Sequence, residues 1–226
     1  MLTFDVYGTI VDWEKGLLSA LRPILEAYAV NVDDETLLEA YAAEEAALES
    51  GPYLRYREVL GRVLDGLGGR FGFTPALEER ESFAGSVGEW PPFEDSRAAL
   101  ERLKPDRKLG ILTNCDDDLI AMTVATLGIE FDWMITAEQL RRYKPNPAHF
   151  FAALERIESS GIKRERVVHV AQSLFHDHVP AKRLGLTTIW IDRRGGKRGS
   201  GATPPAEASP DLELPDLTSL ADLFAR

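Results

Sequence analysis

The stretch Leu2-Thr3-Phe4-Asp5-Val6-Tyr7-Gly8-Thr9 carries a short apolar, β-prone run into an aspartate and a Gly-Thr turn. It reads as a strand over 2–6 that delivers Asp5 to its carboxyl end. Four more runs share its character, at 109–113, 133–136, 167–171 and 187–191. Each is nearly continuously apolar instead of alternating, the pattern of strands buried on both faces of a parallel sheet. Segments with helical periodicity lie between the last four, at 117–127, 148–157 and 180–184. This βαβ alternation predicts an α/β fold with a doubly wound parallel sheet.

The interval between the first and second strands is different. It holds about a hundred residues, where a crossover helix needs only a dozen or more. It reads as four amphipathic helices at 13–28, 34–49, 53–71 and 75–87. The simplest account is an inserted helical subdomain, or cap, over 12–90, with the core formed by 1–11 and 91–226. The stretch 89–93, with Pro91 and Pro92, would be the return hinge. The segment 195–215 is rich in Gly, Pro, Ser and Ala and reads as a long surface loop. There is no internal repeat and no heptad pattern.

With 226 residues, 44% of them hydrophobic, the chain can bury a sizeable core. Its net charge of −11 makes nucleic acid and anionic membranes poor partners. A small anionic substrate stays compatible where a few Lys or Arg converge. The single cysteine, Cys115, excludes an intramolecular disulfide and fits a reducing cytoplasm. No apolar run approaches the ~18–20 residues that span a bilayer. The first residues lack the basic and apolar regions of a signal peptide. A soluble cytoplasmic protein is expected; the sequence does not give the oligomeric state and leaves a homodimer open.

Four motifs follow four of the predicted strands. In the first, Asp5 faces the crevice outside the strand ends, Gly8 permits positive φ, and the Thr9 hydroxyl can donate to an anion. In the second, Thr113 and Asn114 present a hydroxyl and an amide suited to a carboxylate or oxyanion. In the third, Tyr143-Lys144-Pro145-Asn146-Pro147, the lysine sits between a strand and a helix; beside a carboxylate it would hold that group ionised. In the fourth, Gln172-Ser173-Leu174-Phe175-His176-Asp177, the final aspartate could cap a helix or orient Lys144. Taken singly, each is an ordinary strand exit.

Together, the order Asp, Thr-Asn, Lys, Asp resembles the haloacid dehalogenase superfamily over essentially the whole chain, inserted cap included. The resemblance implies a Rossmann-like core, a helical cap and covalent catalysis through Asp5. Phosphatases of that superfamily carry a second acid two residues after the nucleophile, where this chain has Tyr7. They also carry an earlier acid in the fourth motif, where it has Gln172. The DxYGT form looks like the 2-haloacid dehalogenase branch, which displaces a leaving group at carbon and needs no metal. By resemblance the catalytic set is Asp5, Thr9, Lys144 and Asp177. The substrate-binding set is Tyr7, Thr113, Asn114, Ser173 and His176, with no metal ligand and no cofactor. The substrate would be a small 2-substituted carboxylate. The rivals are a Mg²⁺-dependent phosphatase and a non-catalytic binding module.

Two departures bear on the leaving group. The branch's halide-cradling cap arginine would fall in Ala40-Tyr41-Ala42-Ala43, which has none. Arg55 and Arg57 come next, two apart, so at most one could face the site. The His-Asp-His ending of the fourth motif, with Trp13-Glu14 and Glu89-Trp90-Pro91, looks like the sub-branch of azetidine-2-carboxylate hydrolases. There the leaving group is an amine, and His176 or His178 would be the candidate proton donor.

Overall fold

The computed structural model describes residues 1–197 and 199–225. Six parallel strands form one sheet: β1 (Leu2–Phe4), β2 (Leu109–Thr113), β3 (Trp133–Thr136), β4 (Val168–Ala171), β5 (Thr187–Ile191) and β6 (Leu212–Leu214). Their order is β3-β2-β1-β4-β5-β6. Leu2 stands opposite both Leu109 and Val168, and Phe4 opposite both Ile111 and Val170. The fold is therefore the Rossmann-like α/β class, with its switch in strand order at β1. The crevice beyond the carboxyl ends of β1, β2 and β4 is where such sheets bind ligands.

Helices α1 (Trp13–Ala27), α2 (Asp34–Glu49), α3 (Tyr56–Phe71) and α4 (Leu77–Gly85) all fall between β1 and β2. They share a core that includes Leu17, Leu21, Leu37, Tyr41, Leu60 and Phe83. The chain leaves for these helices and returns from them at adjacent points. Val11 bridges Pro92, the Asp12 N–H donates to Pro91 O at 2.8 Å, and the Phe93 N–H donates to Ile10 O at 3.0 Å.

The remaining helices are α5 (Ser96–Leu103), α6 (Asp117–Leu127), α7 (Ala137–Leu140), α8 (Ala148–Ser159), α9 (Val179–Arg183) and α10 (Leu217–Phe224). Leu100, Leu217 and Leu220 pack with Phe4, Val170 and Ile189 on one face of the sheet. Phe150, Leu154, Ile157 and Ala181 pack with Leu112 and Ile135 on the other. Among the described residues no helix is long and apolar enough to cross a membrane.

Several boundaries differ from expectation. The first strand stops at Phe4 because the N–H groups of Thr9, Ile10 and Val11 all turn back to Val6 O. Gly8 supports that turn with φ +93°. The helix expected from 53 begins at Tyr56, where the buried Asp116 carboxylate accepts the Tyr56 and Arg57 N–H groups at 2.9 and 3.1 Å. A carboxylate from the loop after β2 thus caps α3, which the local sequence of α3 could not announce. The helix expected at 180–184 is preceded by a π turn, Leu174–His178. The segment expected as a plain surface loop contains β6 and buries Ala202, with the Gly201 N–H on Glu35 Oε1 at 3.0 Å.

Candidate active site

The ends of β1, β2 and β4 converge on Lys144. Its ammonium donates to Asp5 Oδ1 at 2.9 Å, Asp177 Oδ1 at 2.8 Å and Leu112 O at 3.0 Å. These are three acceptors for three N–H donors, so the ammonium has none left for a ligand in this arrangement. Thr9 donates to the other Asp5 oxygen, Oδ2, at 2.7 Å and accepts the Gln172 N–H at 2.9 Å. Asn114 positions the lysine through its backbone: its Oδ1 accepts the Lys144 N–H at 2.6 Å and its Nδ2 donates to Lys144 O at 3.0 Å.

Lys144 is 1% exposed, and Asp5 and Asp177 are buried with it. Burial alone would discharge such groups; the mutual attraction opposes it. For Lys144, burial pulls the pKa down, but Asp177 and Asp5 together raise it above its ordinary value. For Asp177, burial is outweighed by Lys144 and by a hydrogen bond with His169 Nε2 at 3.0 Å, which hold the carboxyl well below its usual range. The other ring nitrogen of His169 meets Thr3 Oγ1 at 2.9 Å. For Asp5 burial wins and the pKa is raised, although Lys144 pulls the other way. Asp177 is thus the firmly charged counterion, and Asp5 the more basic of the two carboxylates.

Asp5, Lys144 and Asp177 line a small cavity of about 30 Å³, room for a water or two. Tyr7, Trp13, Glu45, Glu49, Tyr56, Asn114, Ser173 and His176 complete its wall. The Ser173 hydroxyl meets His176 Nδ1 at 3.1 Å. Burial lowers His176 to about 4, so the ring is neutral at pH 7. The Tyr7 hydroxyl meets Thr123 Oγ1 at 2.9 Å, and burial keeps it protonated. Beside the cavity a larger cleft of about 610 Å³ shares Glu49 and Lys144 with it and carries Arg141 and Arg142.

Several expected residues lie elsewhere. Thr113 is fully buried, is not part of the cavity wall, and its hydroxyl has no partner. His178 turns away, with Nε2 on Ala171 O at 2.9 Å, which removes it as a candidate proton donor. Arg55 and Arg57 are also outside the wall. Arg55 pairs with Glu138 at 3.0 Å and Asp118 at 3.4 Å, and Arg57 pairs with Asp118 at 2.9 Å. Neither replaces the absent cap arginine.

The sequence reading gave no site role to His169, Glu45 or Glu49, and used Trp13 only as a mark of the resemblance. His169 sits inside a buried strand, whose apolar pattern carries no local sign of a site role. The glutamates were hidden in a helix rich in acids, though their i, i+4 spacing after Tyr41 puts all three on one face. A magnesium ion of the phosphatase kind does not fit here. Both Asp5 oxygens and one Asp177 oxygen are engaged by Lys144, Thr9 and His169, and Gln172 brings no charge. Among the described residues no group of three or more His, Cys, Asp or Glu could hold a metal ion.

A family model for haloacid dehalogenase-like hydrolases matches residues 1–175. Haloacetate dehalogenase H-2 of Moraxella sp. (strain B) is 30% identical over 237 residues, covering 99% of this chain and 97% of that protein. Haloacid dehalogenase-like hydrolase domain-containing protein 3 of Danio rerio is 31% identical over 129 residues, 56% of this chain and about half (52%) of its own length. Among solved structures, the L-2-haloacid dehalogenase from Xanthobacter autotrophicus with chloropropionic acid covalently bound superposes with a TM-score of 0.79. It shares 22% identity, covering 99% of this chain and 97% of that one, a likeness of fold. The match over most of the chain and the full-length relative agree, and this chain belongs to the haloacid dehalogenase-like hydrolase family.

Proposed function

We propose that Asp5 is a carboxylate nucleophile that displaces a leaving group from carbon 2 of a small carboxylate, through an aspartyl ester that water hydrolyses. The observation that carries this reading is the pairing at Asp5. Lys144 holds one oxygen and Thr9 the other, at the end of the strand where the sheet order switches. The full-length relative is a haloacetate dehalogenase, and a structural neighbour holds chloropropionic acid covalently. Lys144 keeps the nucleophile charged, and Asp177 with His169 fixes Lys144. Catalysis falls to a core of 1–11 and 91–226, closed by a cap of 12–90, in a cytoplasmic enzyme.

Hydrolysis at carbon is favoured over phosphate transfer by Tyr7. A tyrosine whose hydroxyl is held protonated and bonded to Thr123 is a poor acid for an alkoxide leaving group. A single turnover in ¹⁸O-water tests the reading. Water attacking the aspartyl carbonyl puts label into Asp5, read by mass spectrometry of the peptide. Label found directly in product, and never in the enzyme, removes the covalent step.

A further inference from the structure

The cavity beside Asp5 has room for a water or two, which is a reacting carbon and one substituent. The rest of any acid has to lie outside it. The adjoining cleft of about 610 Å³ shares Glu49 and Lys144 with that cavity and has the size of a site for a whole ligand. One side of the cleft is core, residues 141–146 with Phe175. The other is the end of α2 and the turn that follows it, residues 50–53.

Two guanidiniums in this wall lack a carboxylate. The Arg141 side chain makes no ion pair or hydrogen bond with any described residue; its guanidinium lies over the Tyr53 ring, 5.0 Å from the centroid. Arg142 directs one donor to Arg141 O at 2.8 Å and has no acid partner among the described residues. Glu49 is the one acid of the wall, and burial with the neighbouring Glu45 pushes its carboxyl up, which weakens its repulsion of an anion. The third cation, Lys144, is committed to Asp5, Asp177 and Leu112. The whole chain carries −11 and repels an anion at a distance. A site for one therefore needs local cations that no acid neutralises, and this cleft supplies two.

Two further observations point to a ligand. Arg141 holds a left-handed backbone, φ +51°, at the end of α7. Glycine or asparagine is usual there, so a bulky cation is kept against the preference of the backbone. The Tyr53 hydroxyl is buried without a partner among the described residues, and burial pushes its pKa up to about 12, so it stays a donor. Tyr53 stacks on Tyr143 with ring centroids 5.6 Å apart, and the Tyr143 hydroxyl donates to Leu54 O at 2.9 Å. The stack holds the Tyr53 ring, and the ring holds Arg141.

We propose that Arg141, Arg142 and the Tyr53 hydroxyl dock a second carboxylate of the substrate, so that this enzyme acts on extended dicarboxylic acids whose far carboxylate lies in the cleft while carbon 2 reaches Asp5. The planar fork of each arginine matches a carboxylate, and the hydroxyl adds a donor from the cap side. This deepens the reading of Asp5 as nucleophile at carbon and rests on it for the reacting end.

Docking can be measured apart from turnover. Calorimetric titration of the wild-type protein with unreactive adipate, pimelate and suberate is set against hexanoate, heptanoate and octanoate, which match them in length and lack the far charge. At least one diacid should bind roughly tenfold tighter than its partner, and added salt should shrink that ratio. Arg141→Gln and Arg142→Gln, both at exposed positions and checked for an unchanged melting profile, should each erase most of it. Tyr53→Phe keeps the ring under Arg141, removes only the hydroxyl and should lower it too. No preference for any diacid in the wild type, or a preference that survives both arginine variants, overturns the proposal. A second arm compares 2-chloroadipate with 2-chlorohexanoate in ¹⁸O-water. If the diacid preference holds but label goes directly into product, the nucleophile reading fails and the docking site stands. If both acids label Asp5 with equal kcat/KM and no diacid is preferred in binding, the docking site fails and the nucleophile stands.

Discussion

Lys144 Nζ lies 2.9 Å from Asp5 Oδ1, and the lysine is 1% exposed. That contact joins the end of β1 to the loop before α8, across 139 positions of chain. Lys144→Met leaves Asp5 and Asp177 facing each other without their cation. Burial already raises Asp5, and loss of the lysine raises it further. The rate should fall by orders of magnitude, and the acid limb of the residual pH profile should move to higher pH. Stability should drop by ~3–5 kcal/mol, the cost of breaking a buried pair from one side. A residual profile with its acid limb unmoved would deny Lys144 its electrostatic role.

Turnover should be indifferent to metal. Both Asp5 oxygens and Asp177 Oδ1 are engaged by Lys144, Thr9 and His169, and Gln172 stands where a further acid would sit. Product formation from the carbon substrate should proceed at the same rate with EDTA and with added Mg²⁺. A rate that collapses with EDTA and returns with Mg²⁺ would mean that the lysine cluster reorganises around an ion.

Much of this was legible in the sequence, for identifiable reasons. Five strands announced themselves because both faces are buried and the runs are continuously apolar. β6 did not: Leu212-Glu213-Leu214 is three residues at the sheet edge, with Leu212 and Glu213 exposed. Asp5, Lys144 and Asp177 were legible because each follows a strand that the sheet brings to one crevice. The partners that tune them were not. His169 reads as strand interior, and the Asp116 cap on α3 spans 60 positions. Helix α2 is acidic on several faces and weakly amphipathic, so only the structure could say that Glu45 faces inward while Glu44 does not.

Burial raises Glu45 to about 7 in the folded state, from an ordinary value of 4.5. The groups around it are the Tyr41 and Tyr56 hydroxyls and the neighbouring Glu49, itself raised by burial and by Glu45. Below 4.5 the folded and unfolded states both hold the proton, and its stabilising contribution is complete. Between 4.5 and 7 only the folded state holds it, so rising pH erodes stability, by ~3 kcal/mol at most. Above 7 the loss is complete. Glu45→Gln removes this dependence while keeping an acceptor for the tyrosines. Its melting temperature relative to wild type should climb as pH goes from 5 to 8, by several degrees. A difference that stays flat over that range would mean that Glu45 ionises in the fold as it does in water.

Helix α1 packs beside Tyr7 through a close contact between Gly16 and Trp90. Gly16 in α1 faces Trp90 at the point where the chain returns to the core. A Cβ at Gly16 would lie 2.6 Å from Trp90 Cδ1 and 2.7 Å from Trp90 Cβ. Trp90 cannot retreat freely: its indole N–H donates to Ser86 Oγ at 3.1 Å, and it meets the Tyr7 ring edge-on with centroids 5.7 Å apart. Tyr7 is part of the cavity wall. Gly16→Ala should therefore destabilise the protein by ~1–3 kcal/mol through overpacking, even though alanine is the better helix former. The displaced Trp90 should also push Tyr7 and lower turnover in the folded fraction. Gly69→Ala is the control. It lies in α3 with nothing within 4 Å of the added Cβ, so it should be neutral or stabilise by up to ~1 kcal/mol and leave activity unchanged. Chemical denaturation of the two variants, read beside their initial rates, separates contact from propensity. If both respond alike, the Gly16–Trp90 contact has no special part in seating α1 against Tyr7.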